Sequence, residues 1–315
     1  MIQTIACIGE CMEEQHATAS FNDAFRCGGD VYNTAVYMKR SLNNGRKISF
    51  ITALGHDPLS STLLDEWKDE GVDCELVGYV KGKQPGQYRI HLSPDGERSF
   101  SYNREDSAAR YMFTAGLEAR QLAELQQGYD LYYLSGITLA ILNHHSRRFL
   151  LDILQQAKSR GARIAFDSNY RASLWSSGAE ARQCISEVLA LTDIALLSLD
   201  DELELFGDRS LSEVLKRLEQ IPEIVIKQGG SGCFVKTASI EKQLPAINAE
   251  NVLDTTAAGD AFNGAYLAAR INNEPIEDAI HCAQQMASIV VSYPGAIVPR
   301  HLSETSQYRS AARKT

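Results

Sequence analysis

Short apolar runs recur along the chain, separated by longer stretches in which apolar residues return every third or fourth position. The runs at 5–9, 48–54, 130–134, 163–166, 194–197 and 224–227 have the length of buried strands. The segments 59–70, 147–160, 261–272 and 275–292 carry the helical period, with Gly71 and Gly161 placed to stop two of them. Strand alternating with helix predicts an α/β fold, a mostly parallel sheet with helices on both faces. Ligands of such sheets collect beyond the C-terminal strand ends. The residues there are Gly55-His56-Asp57-Pro58, Ser135-Gly136, Asp167, the acidic stretch Asp200 to Glu204, and Gly229-Gly230-Ser231-Gly232.

The stretch 73–104 breaks the rhythm. Leu76, Val77 and Tyr79 lead into Gln87-Tyr88-Arg89-Ile90-His91-Leu92, then Ser93-Pro94-Asp95-Gly96 and Arg98-Ser99-Phe100-Ser101-Tyr102. A Pro-Asp-Gly turn between two β-rich runs signals a hairpin. The expectation is a small antiparallel sheet standing off the main body and completed by residues 10–25. The chain then reads as one domain, 1–315, with a lid formed by about 10–27 and 73–105. So small a sheet has little core of its own, so its apolar face needs a cover: a substrate, a partner subunit, or both.

Composition narrows the partners. Net charge is −9, from 31 basic and 40 acidic residues, a balance that disfavours nucleic acid and anionic membranes. A local arginine cluster could still receive an anionic substrate. The seven cysteines are scattered without Cys-x-x-Cys spacing, which fits free thiols in a reducing cytoplasm. Cys11 and Cys27 flank the lid region. The first residues read as a strand rather than a leader, and no apolar run approaches the roughly 18 residues of a membrane span. His144 and His145 read as a surface loop pair, and Trp67 and Trp175 as packing residues.

The most specific segment is Asp254-Thr255-Thr256-Ala257-Ala258-Gly259-Asp260-Ala261-Phe262-Asn263-Gly264. Small residues meet the start of an apolar helix, with a carboxylate at the junction. Ala257, Ala258 and Gly259 let an anion approach backbone N–H groups that a helix start leaves unpaired, and the helix dipole favours negative charge there. Gly259 also permits a positive φ. Asp260 beside phosphates would repel them unless it has work to do, and orienting and deprotonating a hydroxyl is such work. A plain N-cap aspartate explains Asp260 alone but not the whole run.

That segment resembles the second signature of the PfkB carbohydrate kinases of the ribokinase superfamily, and Arg26-Cys27-Gly28-Gly29-Asp30-Val31-Tyr32-Asn33 resembles their N-terminal Gly-Gly-x-x-x-Asn element. More closely, Ile8-Gly9-Glu10-Cys11-Met12, Tyr133-Leu134-Ser135-Gly136-Ile137, Asp167-Ser168-Asn169-Tyr170-Arg171 and Gly295-Ala296-Ile297-Val298-Pro299-Arg300 resemble the 2-keto-3-deoxygluconate kinases. The resemblance implies a ribokinase-like three-layer sandwich with a β-sheet lid, use of ATP with Mg²⁺, and a sugar-acid acceptor phosphorylated on its terminal 6-hydroxyl. It implies Asp260 as catalytic base, with Gly259, Ala258 and Ala257 as the anion hole. Gly28, Gly29, Asp30 and Asn33 would bind the sugar. Tyr88, Tyr102 and Arg104 of the lid, with Arg171, would hold the keto acid, a guanidinium fork matching a planar carboxylate. Asn169, Arg171, Ser198, Lys227, Gly229, Ser231, Gly232 and Gly259 would serve ATP, and Asp167 would orient neighbours. Many relatives carry Asn-x-x-Glu where this chain has Leu199 and Glu202, so Glu202 is expected to reach the metal only through water. A homo-oligomer through the lid is expected by analogy. Two rivals stay open: a kinase for a neutral sugar of the fructose or ribose type, and a non-catalytic sugar-binding regulator.

Overall fold

Alternation inside the strands decides the layering. In the computed structural model, which describes residues 2–16, 25–42, 45–92, 98–249 and 251–304, Ile5 and Cys7 of β1 (Thr4–Ile8) enter one core while Ala6 and Ile8 enter another. The remaining strands are β2 (Met12–His16), β3 (Cys27–Gly28), β4 (Lys47–Leu54), β5 (Val77–Tyr79), β6 (Gln87–Leu92), β7 (Arg98–Asn103), β8 (Leu131–Ser135), β9 (Arg163–Asp167), β10 (Ile194–Ser198), β11 (Glu223–Lys227), β12 (Cys233–Thr237) and β13 (Glu241–Leu244). The α-helices are α1 (Asp30–Ser41), α2 (Pro58–Asp69), α3 (Ala119–Gln127), α4 (Gly136–Ile141), α5 (His144–Ser159), α6 (Gly178–Leu189), α7 (Leu199–Phe206), α8 (Leu211–Arg217), α9 (Ala258–Ile271), α10 (Ile276–Val290) and α11 (Arg300–Ser303). Tyr132, Leu134, Ile164, Phe166, Ala195 and Leu197 face the core under α5, α6 and α7; Leu131, Tyr133, Ala165, Ile194 and Leu196 face the core under α1, α2, α9 and α10. The period-two pattern thus buries both faces of the sheet in a three-layer sandwich.

The large sheet has nine strands in the order β13-β12-β11-β10-β9-β8-β1-β4-β5. It is parallel from β11 to β5, and only the β12 and β13 pairings are antiparallel. That edge hairpin escaped the hydrophobic reading because Glu241-Lys242-Gln243 of β13 is polar and exposed, as an edge strand can be. Helix α5 begins at His144 with Asn143 as its cap, so His144 and His145 lie in a first helical turn instead of a loop.

The lid is a four-stranded sheet in the order β3-β2-β6-β7. It is mixed instead of antiparallel: β2 leaves the large sheet in the direction of β1 and pairs with β6 in parallel. Val77–Tyr79, expected in the lid, belongs to the large sheet, where Thr52 pairs with Val77. The Ser93-Pro94-Asp95-Gly96 turn and residues 17–24 lie outside the described residues. Met12, Tyr88 and Ile90 form a small buried cluster on one face of the lid, which also carries Tyr102. The other face is polar. Gln87 and Gln15 donate to Glu13 Oε2 at 2.6 and 2.8 Å, Arg89 donates to Gln15 at 2.9 Å, and His91 Nε2 and Ser101 Oγ share a hydrogen bond of 2.8 Å.

Helices α1 and α9 pack so closely that a Cβ on Gly264 would stand 2.6 Å from the Thr34 carbonyl oxygen. Only glycine permits that approach. It draws the start of α9 against α1 and so builds the site.

Candidate active site

The chain enters α9 through buried Asp254, whose carboxylate accepts from Thr256 N at 3.0 Å and from Gly295 N at 2.8 Å. Ala257 then takes the left-handed conformation, φ +61°. The positive φ expected at Gly259 falls there instead, because the reversal is completed at the N-cap, before the helix begins. Ala258 N–H donates to Thr255 O at 3.3 Å; the amides of Gly259 and Asp260 follow in the first turn, where a helix leaves its N–H groups without intrahelical partners. A Cβ on Gly259 would sit 3.5 Å from Lys227 Nζ, which places that ammonium beside the first turn of α9.

Asp260 is held from two sides. Asn33 Nδ2 donates to its Oδ2 at 2.8 Å, and Thr34 Oγ1 donates to its carbonyl at 3.2 Å. Burial pushes the Asp260 carboxyl up to about 7, the negative charges of Asp30 and Asp167 add to the rise, and Asn33 and Lys227 oppose it. A carboxyl poised there is suited to take a proton near neutral pH.

Behind Asp260 runs a buried network. Lys227 Nζ donates to Asp167 Oδ2 at 2.8 Å and to Asn263 Oδ1 at 3.1 Å. Asn263 Nδ2 donates to Asp167 Oδ2 at 2.7 Å and to Tyr133 OH at 3.1 Å, and Thr34 Oγ1 reaches the same phenol at 3.2 Å. Asn263, Tyr133 and Thr34 were not singled out from the sequence. The available signal was a lone amide inside the apolar face of α9.

The other expected residues gather at the same strand ends. Asp30 does not cap α1; its carboxylate accepts from Asn169 Nδ2 at 2.7 Å. Asn169 is strained, φ +31°, and its N–H is held by Asp167 Oδ1 at 3.2 Å. Asn33, expected on the sugar, spends its amide on Asp260 and on Gly29 N at 3.3 Å. Arg171 donates to Tyr170 O at 2.7 Å and lies 3.6 Å from Asp201, whose carboxyl burial raises to about 6. Ser198 pairs in register with Lys227, and Gly229–Ser231 forms an exposed turn beyond β11.

Glu202 is fully buried, its Oε2 accepting from Arg217 at 2.8 Å, and desolvation raises its pKa. Among the described residues no three His, Cys, Asp or Glu side chains cluster as a metal cage. On the lid, Tyr88 is buried and donates to Glu14, while Tyr102 is 52% exposed with its ring centre 6.2 Å from that of Tyr88. Arg104 is buried and donates to Glu10, so part of the fork expected to be open for a substrate carboxylate is already engaged. A cavity of about 470 Å³ opens beside His56, Asp57, Lys83, Gln87, Asn103 and Asp106; it takes in part of the strand-end segment Gly55-His56-Asp57-Pro58 but none of the residues expected to bind ATP or the sugar.

The family described as pfkB family carbohydrate kinase matches residues 2–302. A 2-dehydro-3-deoxygluconokinase of Dickeya dadantii (strain 3937) is 43% identical over 304 residues, spanning 94% of this chain and 97% of that protein. One of Escherichia coli (strain K12) is 39% identical over 307 residues, spanning 95% and 98%. In structure, a putative ribokinase II from E. coli in complex with ATP and Mg²⁺ superposes with a TM-score of 0.80 at 21% identity, covering 99% of this chain and 98% of that one.

Proposed function

The chain belongs to the pfkB family of carbohydrate kinases, and from that premise we propose that it transfers the γ-phosphoryl group of ATP to the terminal 6-hydroxyl of 2-keto-3-deoxygluconate, yielding the 6-phosphate and ADP. The observation that carries the chemistry is Asp260, fixed by Asn33 in the first turn of α9 with its carboxyl raised to about 7. Asp260 orients the acceptor hydroxyl and takes its proton as the new O–P bond forms and the bond to the ADP oxygen breaks. The amides of Gly259 and Asp260, with Lys227 alongside, stabilise charge on the transferring group. Asn169, Arg171, Ser198 and the Gly229-to-Gly232 turn line the nucleotide side.

Arg104 and the tyrosines Tyr88 and Tyr102 support a sugar acid over a neutral sugar, because a guanidinium is matched to a carboxylate. Gly28, Gly29 and Asp30 supply the other wall. Magnesium would arrive on ATP, where it neutralises phosphate charge. Buried Glu202, backed by Arg217, and Asp201 are the carboxylates that could hold its waters. A homo-oligomer made through the lid is part of the proposal, with the polar face of Gln15, Gln87, Arg89 and Ser101 and the exposed Tyr102 as surfaces it offers. Among the described residues no helix is long and apolar enough to cross a membrane; a cytoplasmic location is part of the proposal.

The test is coupled ADP release with Mg·ATP against 2-keto-3-deoxygluconate, its galacto epimer, fructose, ribose and gluconate. Turnover confined to the keto-deoxy acids is expected. Turnover with fructose or ribose instead would overturn the acid reading and leave the kinase standing. Binding of one sugar without turnover of any would favour a regulator.

A further inference from the structure

Two carboxylates on the arm between the large sheet and the lid break the pattern of their surroundings. Glu10 and Glu14 share the inward phase of the chain with Met12 and are 3% and 6% exposed. A buried carboxylate is unfavourable unless it is paired. Glu10 Oε2 accepts from Arg104 Nη2, and its Oε1 accepts from the Ser107 hydroxyl. Glu14, paired in register with Tyr88, accepts from the Tyr88 hydroxyl. Glu10 therefore grips Arg104 and Ser107, and Glu14 grips Tyr88.

We propose that Glu10 and Glu14 are positioning residues that set Arg104 and Tyr88 for the sugar acid; this rests on the reading above, in which those two groups touch the substrate. Arg104 is also 6% exposed, and its Nε is buried without a partner among the described residues. The guanidinium is thus anchored at one nitrogen while donors remain for a second acceptor. A Cβ on Gly28 would lie 2.9 Å from the Tyr88 hydroxyl, so the tyrosine held by Glu14 stands directly against the sugar loop. A buried ion pair is weak as a source of stability, because desolvation offsets the attraction. It is strong at fixing geometry. Freezing a long arginine side chain during folding removes that entropy loss from the binding step. Glu10 also keeps the buried cation neutralised in the empty site, where an unpaired guanidinium would turn out toward water.

The experiment compares KM and kcat of Glu10→Gln, Arg104→Ala and the double variant on 2-keto-3-deoxygluconate, with KM for ATP as the internal control. Glu10→Gln is expected to raise the KM for the acid ~10–100-fold, the size of a misplacement effect, with kcat and the KM for ATP little changed. In the Arg104→Ala background the same substitution should add nothing. Glu14→Gln should behave likewise against Tyr88→Phe. Ser107→Ala, which loosens Glu10 without removing a charge, supplies a milder variant if Glu10→Gln folds poorly. An unchanged acid KM in both Glu10→Gln and Ser107→Ala, beside a raised KM in Arg104→Ala, overturns the inference and leaves the acid reading intact. So does a Glu10→Gln effect of equal size with and without Arg104. An unchanged acid KM in Arg104→Ala itself brings down both, and is recognised by that single variant.

Discussion

Asn33 and Asp260 stand 227 positions apart in the chain and 2.8 Å apart in space, the amide of α1 donating to the carboxylate at the start of α9. This bond favours the ionised form of Asp260 against burial and the nearby Asp30 charge, which favour the protonated form. A base must be ionised to accept a proton, so kcat/KM should rise with pH through about 7. Asn33→Leu removes the opposing bond and should move that limb to higher pH. Asp30→Asn removes a neighbouring negative charge and should move it lower. Rate profiles of the three proteins check both directions, and shifts of the same sign would refute the assignment of the limb to Asp260.

Asp260→Asn should lower kcat by ~10²–10⁴-fold, the span attributed to general base catalysis, while nucleotide binding persists. It should also stabilise the fold at alkaline pH. The Asp260 carboxyl has a folded value of about 7 against an ordinary 3.8, so the folded state keeps its proton where the unfolded state has lost it. Stability linked to that proton is complete below about 3.8 and is lost as pH rises to about 7. Thermal unfolding of the two proteins should therefore coincide at pH 3.5, diverge with rising pH in favour of Asn, and hold a constant gap above neutrality.

The start of α9 was legible because its pattern is local. A helix start, small residues and one carboxylate are consecutive from Ala257 to Asp260. The large sheet was legible for a similar reason: strands buried on both faces write continuous apolar runs. What stayed hidden was either edge or pairing. β13 is polar because only one of its sides needs a partner. Val77–Tyr79 alternates as a lid strand would, and only its pairing with β4 assigns it to the large sheet. Asn33 carries the right residue type for a sugar ligand, and its bond to Asp260 is invisible in the sequence because the two stand 227 positions apart. Arg104 read as an open fork because nothing local announces Glu10, 94 positions earlier, as its partner.

Gly259→Ala separates folding from catalysis. The backbone there is ordinary helix, and an added Cβ would meet Lys227 Nζ at 3.5 Å, a normal contact. Alanine in a first helical turn is, if anything, favourable to the helix, by up to about 1 kcal/mol relative to glycine. The methyl would, however, stand between the ammonium and the space a phosphoryl group must cross. The expectation is an unchanged or higher melting temperature with kcat reduced by up to ~10²-fold, the size of a small misplacement of the transferring group. Denaturant unfolding run beside the ADP-release assay reads both.

Arg217 offers the opposite separation. Its guanidinium neutralises the fully buried Glu202 at 2.8 Å, bonds Asp208 Oδ2 at 2.6 Å and lies 3.7 Å over the Phe206 ring. Arg217→Met keeps bulk over the ring and strands the Glu202 charge, a change that typically costs about 3 kcal/mol or more. Desolvation already raises the Glu202 carboxyl above its ordinary value, and removal of the cation that opposes this raises it further. The stability deficit of Arg217→Met should therefore widen as pH rises and Glu202 is forced to ionise alone, and narrow in mild acid, where the carboxyl keeps its proton. Adding Glu202→Gln to that variant removes the stranded charge and should restore part of the loss. Chemical denaturation of the single and double variants at pH 5.5 and 8 decides it: a deficit independent of pH, or no recovery in the double variant, would mean that the ring contact and Asp208, rather than the Glu202 charge, account for the role of Arg217.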